Sequence, residues 1–230
     1  MKKVPVLAIS SALVLAIVGL GQVCAQMPSA KVSAGVRDIA VVQAFSATGI
    51  DWTPDFARCI KTPAQKDLFI DVSLEVGLTT DTKVMSKNLQ RAEAEAEAMV
   101  KVKVLVDGVE ALPGVVTYAR RKQTMIAQFA GDLSNCLTID PTSSALVLDE
   151  ECIEPESLQL ILETMRAHSF NFIAPDVTSG EHKIEILALI GSSSTVDGES
   201  GSQASANAYL GKGTVIVDSV RMLKGELPEL

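Results

Sequence analysis

Two histidines, one dense run of acids and a few loop serines are the side chains in this 230-residue chain that offer reactive or metal-binding chemistry. His168 and His182 flank a turn-like stretch at residues 175–180. A hairpin centred near Val177 sets them about five residues apart along paired strands, about 16 Å at about 3.3 Å per residue. A shared zinc ion needs both ring nitrogens near 2 Å, so the pair reads as two strand-edge histidines. Asp149, Glu150 and Glu151 head the acidic run, with Glu154 and Glu156 behind them. Calcium takes several oxygens from a turn, which makes Asp149, Glu150 and Glu151 the candidate calcium ligands. The DxDxDG spacing is missing, however, and acids ahead of an apolar run also suit a helix N-terminus. Ser192, Ser193 and Ser194 sit in a Gly/Ser stretch with Asp197 and Glu199, and Asp176 sits in another loop. A nucleophilic serine needs a base oriented at it, and no GxSxG elbow is present. The run Gly211, Lys212, Gly213, Thr214 lacks the frame and the following helix of a phosphate loop. No catalytic residue is assigned, and no cofactor is implied apart from the candidate calcium.

Composition narrows the partners. The formal net charge is −8, an acidic surface that repels phosphate backbones and argues against nucleic acid. Aromatics make up 4% of the chain. A sugar platform would have to be built from Trp52, Tyr118 and Tyr209, and Trp52 is the candidate ligand surface. Lys2 and Lys3 precede an uncharged apolar run to Leu20, and Val23, Cys24 and Ala25 offer small residues for a signal peptidase. This pattern predicts a signal peptide over residues 1–25 with cleavage before Gln26. Lipid attachment at Cys24 is disfavoured by Gln22 and Val23. No later stretch is apolar for long enough to span a bilayer. The expected location is secreted, periplasmic or cell-surface.

Cleavage there leaves Cys59, Cys136 and Cys152, which in an oxidising compartment predicts one disulfide and one odd thiol. Residues 137–140 and 146–149 read as two short strands around a Pro-Thr-Ser-Ser turn. Folding that hairpin brings Cys136 and Cys152 together at its base, and closing the loop stabilises by roughly 3 kcal/mol in the chain-entropy account. Pairings through Cys59 remain open at this point.

The elements that carry these residues are mostly strands. Residues 26–66 read as a lead-in with one strand at 39–45, and residues 48–63 as loop. Residues 67–230 form the folded domain. Residues 67–78 alternate, with Leu68, Ile70, Val72, Leu74 and Val76 on one face. From Ala92 to Val106 every second residue is Ala or Val. The Ala-Glu part has high helix propensity, yet the unbroken parity collects the small residues on one strand face. Asp107 and Gly108 then signal a tight turn. Residues 114–119 and 123–130 read as a pair around the basic residues 120–122. Pro155 with flanking glutamates, then Leu158, Ile161, Leu162 and Met165 at helical spacing, predicts one amphipathic crossover helix. Strands resume at 168–173 and 181–190, residues 191–207 read as a mobile Gly/Ser loop, and residues 214–223 close the chain. The pattern predicts an all-β fold, an antiparallel β-sandwich or jelly roll with that one helix.

Residues 67–73, 98–108, 167–172, 179–184 and 208–217 resemble a pattern of uncharacterised exported bacterial and archaeal β-sandwich proteins. The resemblance implies fold and compartment and transfers no activity. The leading expectation is a non-enzymatic structural or interaction protein, with a protein or glycan partner or self-assembly. The alternatives are an extracellular glycan- or peptide-binding module and a hydrolase with an unrecognised site.

Overall fold

The computed structural model describes residues 28–37, 52–133 and 136–223. The expected signal peptide and the strand expected at 39–45 lie outside them. In chain order the elements are β1 (Val32–Arg37), β2 (Thr53–Thr62), β3 (Lys66–Ser86), β4 (Arg91–Val106), β5 (Val109–Glu110), β6 (Val116–Gln128), β7 (Leu137–Ile139), β8 (Leu146–Leu148), a 3-10 turn (Glu150–Cys152), β9 (Glu156–Val177), β10 (Gly180–Asp197) and β11 (Gln203–Val220). One sheet runs β1-β11-β3-β9. The other runs β2-β10-β4, with β5 and β6 both on the far side of β4.

Every pairing is antiparallel, and the partners are nested: β4 with β6, β3 with β9, β2 with β10, β1 with β11. One long hairpin has been rolled so that its successive rungs fall in alternate sheets. That is the path of a jelly roll, and it confirms the all-β expectation.

Strict alternation builds the interior. On β3, Leu68, Ile70, Val72, Leu74, Val76, Leu78, Thr80, Thr82 and Val84 are all buried. On β4 the same holds for every second residue from Ala92 to Val106. The Ala-Glu repeat is therefore strand, because its methyl groups all face the opposing sheet. On β11 the parity changes in mid-strand. Ala208 and Leu210 point inward, then Val215 and Val217, with a register shift between Leu210 and Gly213. A β-bulge of this kind moves the buried set from even to odd positions. Gly213 lets the strands approach there, since a Cβ would overlap the Leu74 side chain and force it to shift.

The core falls into two clusters. The larger holds Ile60, Leu68, Ile70, Val72, Phe172, Ile184, Ile186 and Val217 among others. The smaller holds Val84, Ala92, Ala94, Met125 and Ala127. Buried Thr80, Thr82 and Gln123 lie in a polar belt beside the smaller cluster. Thr80 Oγ1 donates to Gln123 Oε1 at 2.7 Å. The Gln123 amide donates to Thr82 Oγ1 and, at 2.9 Å, to the Leu160 carbonyl oxygen. Each polar atom of that amide is thus satisfied.

Several expectations are corrected. Residues 155–165 are not helix; from Glu156 they form the first half of β9. Leu158, Leu160 and Leu162 carry a period of two alongside the helical one, and the exposed ladder of β3 decides between them by pairing Ser86 with Glu156 through to Phe69 with Ile173 without a slip. β6 is a single strand rather than a pair around residues 120–122, because it follows β4 along its whole length. The loop expected at 191–207 shortens to residues 198–202. Ser192 to Asp197 pair with Ala98 to Glu93, so backbone bonding outweighs the Ser-rich composition. Residues 53–62, expected as loop, are β2, and β1 and β2 each stand at the edge of a sheet. β9 and β10 lie in different sheets, so no hairpin forms around Val177.

Candidate functional site: a latched end and an open edge

His182 enters β10 buried and fully bonded. Its Nδ1 lies 2.7 Å from Asp107 Oδ2, and its Nε2 lies 2.9 Å from the Thr178 carbonyl oxygen and 3.3 Å from Thr62 Oγ1. Asp107 is placed by the turn it makes with Gly108, both at positive φ (53° and 85°), the pairing that tight hairpin turns require. Its other oxygen accepts the Lys183 N–H at 2.8 Å. Thr62 Oγ1 donates its proton to the Thr178 oxygen at 2.7 Å. The His-Asp pair thus ties β2, the β4–β5 turn and the β9–β10 connection into one latch. The hydroxyl beside it is already committed as a donor, so it is not poised as a nucleophile. A cavity of about 250 Å³ lies against the latch, walled by Val106, Val109, Pro175 and Val177.

His168 is elsewhere, packed edge-on against Tyr118 with ring centroids 6.0 Å apart. The Tyr118 hydroxyl lies 2.6 Å from the carbonyl oxygens of both Val72 and His168. Burial pushes this phenol far above its ordinary range, so it serves as a donor that joins the sheets.

The structure does not gather the other sequence candidates into a site. Asp149, Glu150 and Glu151 lie at the 3-10 turn, where Asp149 Oδ1 accepts the Glu151 N–H at 3.1 Å. Among the described residues no group of three His, Cys, Asp or Glu is placed to hold a metal ion. Trp52 precedes β2 and carries the Lys103 ammonium 4.6 Å over its ring, which already occupies one face. Cys136 and Cys152 are bonded, with Cα atoms 5.5 Å apart, at the base of the β7–β8 hairpin. Cys59 is also disulfide-bonded, so the expected odd thiol is not found: among the described residues no cysteine is free. On the flank formed by β1 and β2, Arg37 and Asp55 make a buried ion pair. Burial there lowers the pKa of Arg37.

On the opposite flank a long strand edge is left unpaired by the described residues. β9 ends its sheet, and two isolated bridges bracket its outer edge. At one end Ile173 exchanges both backbone bonds with Leu112, at 2.8 and 2.9 Å. At the other, Glu154 accepts the Asp132 N–H at 3.0 Å. Between them no described strand pairs with this edge. Because Ile173 bonds away from β3 and the register runs unbroken back to Glu156, the N–H and C=O of the odd-numbered residues 157–171 point the same way. Leu158, Leu160, Ile161, Leu162 and Met165 are exposed along it, Ile161 at 60%. The nearby β7–β8 hairpin adds exposed Leu137, Ile139, Leu146 and Leu148.

This surface could not be found as a strand edge from the sequence, since being an edge depends on what pairs with β3. The one signal was the leucine alternation at 158, 160 and 162. Among the described residues no helix is long and apolar enough to cross a membrane. No protein-family model matches the chain, and no curated protein matches it.

Proposed function

We propose that this is an exported, non-enzymatic structural or interaction protein that works by joining other chains through its strand edge. The observation that supports the reading most is the open, apolar edge of β9 between its two bridges. Soluble folds blunt long edges with charge, proline or cover. A 22-residue strand left this apolar on its free side is the kind of surface that another strand completes. The disulfides fit an oxidising compartment, and residues 1–25 are its proposed address. N-terminal sequencing of the exported protein decides between a start at Gln26 and a chain that keeps residue 24.

A second reading, a binding module for a small glycan or peptide, draws on the cavity beside His182. Light scattering with electron microscopy on the exported protein, across protein and calcium concentrations, separates the two. Concentration-dependent assembly supports the first. A monomer throughout, with saturable glycan or peptide binding lost on filling the cavity by Val109→Trp, would replace it with the second.

A further inference from the structure

We propose that β9 pairs with β9 of a second copy, antiparallel about a twofold axis at Ile161, to form one continuous sheet across a homodimer. This rests on the interaction reading above and names the partner.

The register follows from the strand. An axis perpendicular to the sheet keeps each face on its own side, so odd residues meet odd and even meet even. The odd residues carry the outward N–H and C=O groups, so an axis at Ile161 makes a hydrogen-bonded pair at its centre and is a legal antiparallel ladder. Leu160 then faces Leu162 of the second copy, on both sides of the axis. Leu158 faces Thr164, and Gln159 faces Glu163. At each end Glu156 meets Arg166 of the second copy, so the seam closes on two opposite-charge pairs.

Neighbouring registers are poorer. An axis at Glu163 sets carboxylate against carboxylate, which is destabilising. An axis at Leu160 keeps the leucines together but takes Glu156 away from Arg166. An axis at Met165 sets Leu162 against His168. The Ile161 register spans residues 156–166, a seam of about 36 Å at about 3.3 Å per residue, and lies wholly within the stretch the two bridges leave open.

Charge and geometry supply independent tests on the full-length exported protein. Arg166→Glu is expected to weaken the dimer about tenfold or more in sedimentation equilibrium, since it makes two like-charge pairs. Glu156→Arg combined with Arg166→Glu is expected to restore it, which a merely misfolded variant would not do. Ile161→Cys is expected to give a covalent dimer on mild oxidation, because Cα atoms of a hydrogen-bonded antiparallel pair lie about 5.5 Å apart, within disulfide reach. Asn171→Cys, beyond the seam, is expected to stay unlinked. A monomer at every concentration overturns the proposal. An assembly that ignores Arg166→Glu and in which the Ile161→Cys variant stays unlinked also overturns it, while the broader interaction reading stands.

Discussion

The two core clusters differ in what their sequence can bury. Around Phe172, Ile184 and Ile186 the sheets are held apart by branched and aromatic side chains. Around Ala92 and Ala94 the filling is mostly methyl groups, helped by Val84 and Met125. Each carbon removed from water is worth about 0.8 kcal/mol, so a position filled by Ala instead of Ile gives up roughly 2 kcal/mol of burial. The smaller cluster is also the half where β9 exposes Leu158, Leu160 and Leu162, pairing there with residues 80–84 of β3. The half with the weaker interior thus carries the stronger unmet demand at its edge. A fold needs no uniform core if one end is finished by contact with another chain.

The contrast can be broken from its strong side first. Phe172→Ala, at a fully buried site, is expected to cost about 3–5 kcal/mol in urea unfolding; a loss below about 1 kcal/mol would mean the large cluster does not anchor the fold. Ala96→Val tests the thin side. Strand propensity alone favours valine, but Ala96 is fully buried and stands opposite Gln123 in the ladder. Two added methyl groups there are expected to destabilise by about 1–3 kcal/mol, and a stabilised variant would refute the close approach of the sheets. Gln123→Leu leaves the Leu160 carbonyl without its side-chain donor and strips Thr80 and Thr82 of their partner. A loss of about 1–3 kcal/mol is expected, with faster amide exchange in β9 than in β10.

The smallest effect concerns the solvent face of the same half. Arg120 hydrogen-bonds Glu97 at 2.8 and 3.1 Å and holds its carboxyl below the ordinary range. The lowered folded value means a stabilisation present above the unfolded carboxylate pKa and lost as pH falls through the folded one. Since the Arg120 guanidinium of this pair is exposed to solvent screening, the effect is small. Arg120→Ala should therefore flatten the acid limb of stability slightly and leave neutral stability almost unchanged. A large loss at pH 7 would contradict a surface role.

Much of the strong half was legible, because Leu68 to Val76 and Val100 to Val106 alternate without ambiguity. The Ala-Glu run of β4 was legible too, since its parity continues that of the valines beside it. The β7–β8 hairpin and the Cys136–Cys152 bond followed from two short strands around one turn. What escaped depends on distant partners. β9 carries helical and strand periods together, and only β3 selects between them. The reversal of parity in β11 depends on a bulge against Leu74. The latch joins His182 to Asp107, seventy-five positions apart in sequence, and nothing local to either residue announces the other.

The nested pairing also orders events in time. Among the described residues β1 pairs within its sheet only with β11, from Val32 with Asp218 to Arg37 with Gly213. A chain that emerges N-terminus first must therefore hold β1 without its sheet partner until β11 has appeared. Pairings this distant in sequence are slow to form. Until β11 is in place, β1 is exposed to wrong partners.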